Sequence, residues 1–177
     1  MNLLSKYLVI FAFIIPMSNL KANTFDETQK TIDVRKTAMQ SLWQRVKRLS
    51  PYVELKEKVD YNKELATVDA KEILQLLEKT RNLWPTNTNI SGKGFTNATP
   101  AVWALPEYFS KLYATAEYSA SNLEQYIVED DIEKTALAMC NLGKACGTCH
   151  ASFRRLLTSQ LANEVNGWSG KYIEGCN

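Results

Sequence analysis

Between Phe109 and Ile127 the apolar residues fall at Phe109, Leu112, Tyr113, Ala116, Ala120, Leu123 and Ile127. This is the i, i+3, i+4, i+7 recurrence that lays one continuous apolar stripe along an α-helix. A half-buried strand cannot use that spacing, because its side chains alternate with a period of two. Three more segments carry the same period. The first runs from about Asp26 to Leu49, with Ile32, Met39, Leu42, Trp43 and Val46 in phase and Pro51 as its stop. The second starts near Thr67, read as an N-cap, and places Ile73, Leu76, Leu77 and Trp84 on one side before Pro85. Pro106 opens the Phe109 to Ile127 helix. The fourth segment follows the acidic turn Glu129-Asp130-Asp131 and carries Leu137, Met139, Leu142, Phe153, Leu156, Leu157 and Leu161 until Asn166, Gly167 and Gly170 end it. Strand-like alternation is largely missing. The expected fold is all-α, an antiparallel four-helix bundle, because four such helices bury their stripes against one another.

The chain has 177 residues, enough for one domain with a single core. Met1 to Ala22 reads as a secretory signal peptide: Lys6, an apolar run from Tyr7 to Met17, then a short polar stretch ending in a small residue. The run is shorter than the ~20 residues that span a bilayer. We therefore expect residues 1–22 to be cleaved, residues 23–177 to form one exported domain with a C-terminal extension from about residue 163, and no membrane association after cleavage. Residues 1–22 contain Lys6 and Lys21 and no acid, so 21 basic against 19 acidic residues becomes 19 against 19. A neutral balance of this kind gives no footprint for nucleic acid or for anionic lipid.

On the fourth segment stands Cys146-Gly147-Thr148-Cys149-His150. Two thiols with two residues between them and an adjacent imidazole form the c-type haem attachment pattern, thioethers to the vinyl groups and a nitrogen for iron. Helical spacing supports it, since Cys149 lies three and His150 four residues beyond Cys146, so all three reach one side of the helix. A thioredoxin-like dithiol would sit after a strand, which this pattern lacks. A structural zinc site needs four ligands, and His150 is the only histidine. The expected cofactor is one covalent haem c on Cys146 and Cys149 with His150 as axial iron ligand. With no second histidine for the distal side, a haem enzyme of peroxidase type is disfavoured, and the chain reads as an electron-transfer protein rather than an enzyme. Export favours the periplasm, where covalent haem attachment takes place in bacteria.

The flanks Leu142-Gly143 and Phe153-Arg154, the run Ala98-Thr99-Pro100-Ala101-Val102-Trp103 with Pro106 and Phe109, and Val34-Arg35-Lys36-Thr37-Ala38-Met39 together resemble the cytochrome c-prime family over roughly Thr31 to Leu157. The resemblance implies a four-helix c-type cytochrome with Arg35 beside a haem propionate and Met39 over the distal face of the iron. A four-residue step puts both on one helix face. Some members of that family use a methionine as sixth ligand and others leave the distal side open, so Met39 is a candidate ligand and both alternatives stand. The first makes the chain a single-electron carrier with redox partner proteins. The second makes it a five-coordinate haem protein that binds NO or CO. A homodimer through the first two helices is a further expectation from the family. Cys140 and Cys176 add to the pattern, and a disulfide between them is expected. Trp43, Trp84, Trp103, Phe109 and Tyr113 read as core. Arg154 and Arg155 read as a helix surface from which one could reach a propionate. Glu72, Glu78, Asp130 and Asp131 read as surface.

Overall fold

The computed structural model describes residues 18–53, 62–90 and 95–155, with side chains from Phe25 onward. Four long helices carry the fold: α1 (Ser18–Val53), α2 (Lys63–Arg81), α4 (Pro106–Glu129) and α5 (Ile132–Phe153), with a single helical turn, α3 (Ala101–Ala104), ahead of α4. They pack as a ring, α1 on α2, α2 on α4, α4 on α5 and, far more sparsely, α5 on α1. Each neighbour runs against the last. Arg45 and Arg48 of α1 meet Glu72 and Asp69 of α2, while Arg35 reaches the far end of α2 at Leu83. Lys63 and Arg81, at opposite ends of α2, face Asp130, the residue that caps α4, and Glu117 within α4. This is the antiparallel four-helix bundle that the periodicity implies.

The core is built from the expected stripes. Ile32, Leu42 and Leu49 of α1, Ala70, Ile73 and Leu77 of α2, and Phe109, Tyr113, Ala116, Ala120, Leu123 and Ile127 of α4 are buried. On α5 the buried set is Thr135, Ala138, Leu142, Ala145 and Phe153. Leu137 is 42% exposed, against expectation. The smaller Ala138 takes the inward position, one residue further round the helix.

Three boundaries differ from those read in the sequence. Pro51 does not stop α1; the helix passes through it to Val53. A proline in the last turn removes one hydrogen bond without preventing the final residues from staying helical. Helix α2 begins four residues before Thr67, with Asn62 as N-cap accepting from the Leu65 N–H at 3.0 Å. Asn caps better than Thr, and Thr67 instead donates back to the Lys63 carbonyl at 2.8 Å inside the helix. Helix α5 ends at Phe153, not beyond. Arg154 leaves the helix to form an antiparallel bridge with Ala98, and the Arg155 N–H donates to the Asn97 carbonyl at 2.7 Å. Leu156, Leu157, Leu161, the expected terminators, Cys176 and most of the expected signal peptide lie outside the described residues.

The segment between α2 and α4 positions the site. Its first part follows α2 into a 3-10 turn, Thr86–Thr88, where Asn87 Nδ2 donates to Thr28 Oγ1 of α1 at 2.8 Å. Its second part docks on the end of α5, the Thr99 N–H donating to the Phe153 carbonyl at 2.8 Å. One connection is thereby bonded to both helices of the sparse α1/α5 seam.

Candidate haem site

Arg35 is buried, 3% exposed, halfway along α1. Its Nη1 donates to the Leu83 carbonyl at 2.8 Å and to Thr88 Oγ1 at 2.9 Å, and its Nη2 donates to Thr96 Oγ1 at 3.2 Å. The guanidinium lies over the Trp84 ring, 4.2 Å from its centroid, a cation–π contact. Both threonines are held in turn: Thr88 Oγ1 donates to the Pro85 carbonyl at 2.7 Å, and Thr96 Oγ1 accepts from the Ala98 N–H at 3.1 Å. Among the described residues no carboxylate neutralises Arg35, and loss of hydration brings its pKa down to about 10. A buried cation normally has a counter-charge. Met39, one turn on, is half-buried against the core.

Across the seam, α5 presents Cys146, Cys149 and His150 within its last two turns. Both thiols are free and pack against the core. Part of each residue reaches the surface, yet enough protein surrounds the sulfurs that desolvation pushes the thiols up to about 11 and about 12. The His150 imidazole is brought down to about 4, first by burial and then by the nearby Arg154 cation, so it is neutral at ordinary pH. A neutral ring nitrogen is what a metal ligand requires.

Between the two sides lies an aromatic wall. Trp84 meets Phe109 at 4.9 Å between centroids, and Phe109 meets Tyr113 at 5.4 Å and Phe153 at 5.2 Å. Trp103 fixes the corner by donating its Nε1–H to the Trp84 carbonyl at 3.0 Å. The Tyr113 hydroxyl is hydrogen-bonded to Thr80 and is held protonated chiefly by burial, with the Cys149 sulfur near enough to add to the effect. The Trp84 N–H also acts on that hydroxyl but lies outside hydrogen-bond geometry, leaving a buried donor without an acceptor.

These observations test whether the residues fit a haem. The two thiols and the imidazole share one helix end, the facing seam is the least packed of the four, and among the described residues the buried guanidinium has no counter-charge and the buried indole N–H has no acceptor, two roles that a carboxylate would serve. They fit. Arg154 is the arginine beside His150, its pKa lowered by burial, so the expectation of a fully solvated surface does not hold for it. Trp43, Trp84 and Trp103 are half-buried rather than core. Sequence reading did not find Thr88, Thr96 or the Leu83 carbonyl. Threonines in a polar loop carry no periodic signal, and only the fold shows that they cradle Arg35.

Comparison with known proteins settles the family. The description cytochrome C' matches residues 30–154, most of the chain. The chain belongs to the cytochrome c' family. Haem c is therefore its cofactor, and the bundle is the family's fold. Two curated relatives, both named cytochrome c-554 and both from Cereibacter sphaeroides, are each 29% identical over 56% of this chain. The match spans 65% of one relative's length, just under two thirds, and 75% of the other's. Among solved structures, a cytochrome c' from Rubrivivax gelatinosus superimposes with a TM-score of 0.65 at 19% identity, covering 72% of this cytochrome and 97% of that chain. A nitric oxide complex of a variant cytochrome c prime from Alcaligenes xylosoxidans gives 0.65 at 17% identity, covering 73% and 97%. At such identity these structures speak for the fold. No helix among the described residues is long and apolar enough to cross a membrane.

Proposed function

We propose that this cytochrome is an exported, periplasmic single-electron carrier. Cys146 and Cys149 hold haem c through thioethers, His150 is the axial ligand, Arg35 meets a propionate and Met39 stands over the distal face. What supports this most is both thiols and a neutral imidazole on α5, and, linked to them through Tyr113, Phe109 and Trp84, a buried Arg35 with no counter-charge among the described residues, one turn from Met39 on α1. The haem supplies the one-electron iron couple. The protein's part would be to hold it against the half-buried thiols and the aromatic wall, with burial and ligand identity setting the potential. A methionine on the distal side suits electron transfer, because a filled sixth position leaves no site for exogenous ligands. Redox partner proteins follow from this reading.

The second reading is a five-coordinate haem that takes NO or CO. It draws on the Alcaligenes xylosoxidans neighbours, described with bound NO and with bound carbon monoxide. Absorption spectra of the purified protein, oxidised, reduced and reduced under CO, separate the two. Sharp low-spin bands untouched by CO, and lost in Met39→Ala, are expected. A wild-type spectrum that shifts with CO would overturn ligation by Met39, and a colourless protein from a haem-attaching strain would overturn the whole assignment.

A further inference from the structure

Seven consecutive apolar residues, Pro100 to Pro106, make the corner where α3 turns into α4. Of these only Val102 is buried. Ala104, Leu105 and Pro106 stand exposed in succession, Leu105 at 52%, and Tyr108 follows at 44%. A run of exposed apolar residues is unfavourable in water and marks a surface that meets another apolar one. The corner is also stiff. Trp103 is locked by its Nε1–H on the Trp84 and Pro85 carbonyls, at 3.0 and 3.2 Å, and the Tyr108 ring lies 5.7 Å from that of Phe153. Rigid aromatic surface loses little entropy when it is covered.

The rim is basic. Pairing of Ala98 and Asn97 with Arg154 and Arg155 brings both arginines beside the start of the apolar run, and Lys111 lies on α4 one turn past Tyr108. Across residues 95–111 and 151–155, which build the corner, Glu107 is the only acid. The same corner adjoins the thiol end of α5. Phe153, which Tyr108 touches, stands four residues beyond Cys149, on the same helix face and about 6 Å along the axis, and its ring meets Phe109 in the aromatic wall at 5.2 Å.

We propose that the corner formed by Trp103, Leu105, Pro106 and Tyr108 is the docking surface for a one-electron redox protein that presents an apolar contact patch rimmed by carboxylates. This rests on the carrier reading, which supplies the electron. One electron crosses between the iron and the partner's redox centre; no bond is made or broken and no proton moves. The apolar centre excludes water, while Arg154, Arg155 and Lys111 steer and orient the acidic rim.

Gold carrying a mixed monolayer of methyl-terminated and carboxylate-terminated alkanethiols serves as the probe. Binding of the purified haem-loaded protein is weighed on a quartz microbalance, and electron exchange with the gold is read by voltammetry. The wild-type protein is expected to bind and to exchange electrons, more weakly as salt rises. Leu105→Ser with Tyr108→Ser is expected to bind about tenfold more weakly. Arg155→Glu, which leaves the backbone bond to Asn97 in place, is expected to lose most of the salt dependence. Val128→Ser, at a residue 55% exposed near the other end of α4, is expected to bind like wild type. A double variant that binds like wild type, or an equal loss in Val128→Ser, overturns the docking surface. So does a dimer in solution that the double variant abolishes, since the occupant is then a second copy of the chain. Unchanged salt dependence in Arg155→Glu overturns the acidic partner, and this variant, altered outside the helices, decides alone if circular dichroism shows the double variant unfolded. Binding through the corner with no one-electron couple, either on the gold or with soluble mediators, retains the docking surface and removes the carrier reading.

Discussion

Replacing Arg35 with Met removes the charge and all the donors while keeping an unbranched chain to lie on Trp84. Three charge-assisted hydrogen bonds are lost, to Leu83, Thr88 and Thr96, each worth about 2 kcal/mol. Against this, burial brings the guanidinium from 12.5 to about 10, a standing cost of about 3 kcal/mol that the variant no longer carries. The balance is a loss of about 3 kcal/mol from the loop alone, with any propionate contact adding to it. Thr88 keeps its bond to Pro85 and Thr96 its bond from Ala98, so the Leu83 carbonyl bears most of the loss. Urea unfolding of the haem-loaded protein, followed by far-ultraviolet circular dichroism, reads this as a midpoint lower by about 1–2 M, given a slope near 2 kcal/mol per M. Hydrogen exchange localises it: the amides of Thr88, Asn89 and Ala98 are expected to exchange faster before the rest of the bundle opens. Arg35→Lys recovers less than half, because an ammonium cannot spread over three acceptors as the planar fork does. A midpoint within about 0.2 M of wild type with unchanged exchange refutes the cradle as a structural element.

Asp69, 3% exposed, takes Arg48 and Arg45 from α1; Asp69→Ala is expected to cost about 2 kcal/mol in the same assay, less than a fully buried pair because Arg48 can turn to water. Gly147→Ala meets no neighbour and replaces the helix's costliest ordinary residue, so a gain of about 0.5–1 kcal/mol with an unchanged haem spectrum is expected. At the start of α5, Asp131 accepts from the Lys134 N–H at 3.0 Å and pairs with its ammonium at 2.8 Å, which holds the carboxyl below its ordinary value and the lysine above its own. The carboxylate's contribution is full above the unfolded aspartate pKa, near 4, and is lost as pH falls through its lower folded value. The lysine's is full below about 10.4 and is lost as pH rises through its raised one. Asp131→Ala should flatten the acid limb of a melting-temperature profile; an identical acid limb in the variant would remove the cap from the account.

The helices were legible where period alone decides. Of the Phe109 to Ile127 stripe, all but the half-buried Leu112 is buried as read. The ends were less so. Asn62 and Thr67 are both acceptable caps, and the choice went to the residue that leaves a longer helix. The apolar period continues in sequence through Leu156 and Leu157, but the backbone of Arg154 and Arg155 is taken by Ala98 and Asn97, a pairing between distant segments that no local pattern announces. In the candidate site, Cys146, Cys149 and His150 were singled out by the spacing that attachment chemistry fixes, and the fold adds only that they share the end of one helix. Arg35 and Met39 came from resemblance to the family. The cradle of Arg35 was not legible, since Thr88 and Thr96 matter only through where the loop folds back.

That loop sets the spacing of the two helices that carry the candidate haem residues. Helices α1 and α5 scarcely meet, and the spacing between them is gauged by backbone bonded to Arg35 at one end and to Phe153 at the other. Lengthening or stiffening the segment from Leu83 to Thr99 therefore changes how closely α1 can approach the opposite helix. Substitutions there are expected to alter the width of the α1/α5 seam without changing Arg35, Met39, Cys146, Cys149 or His150.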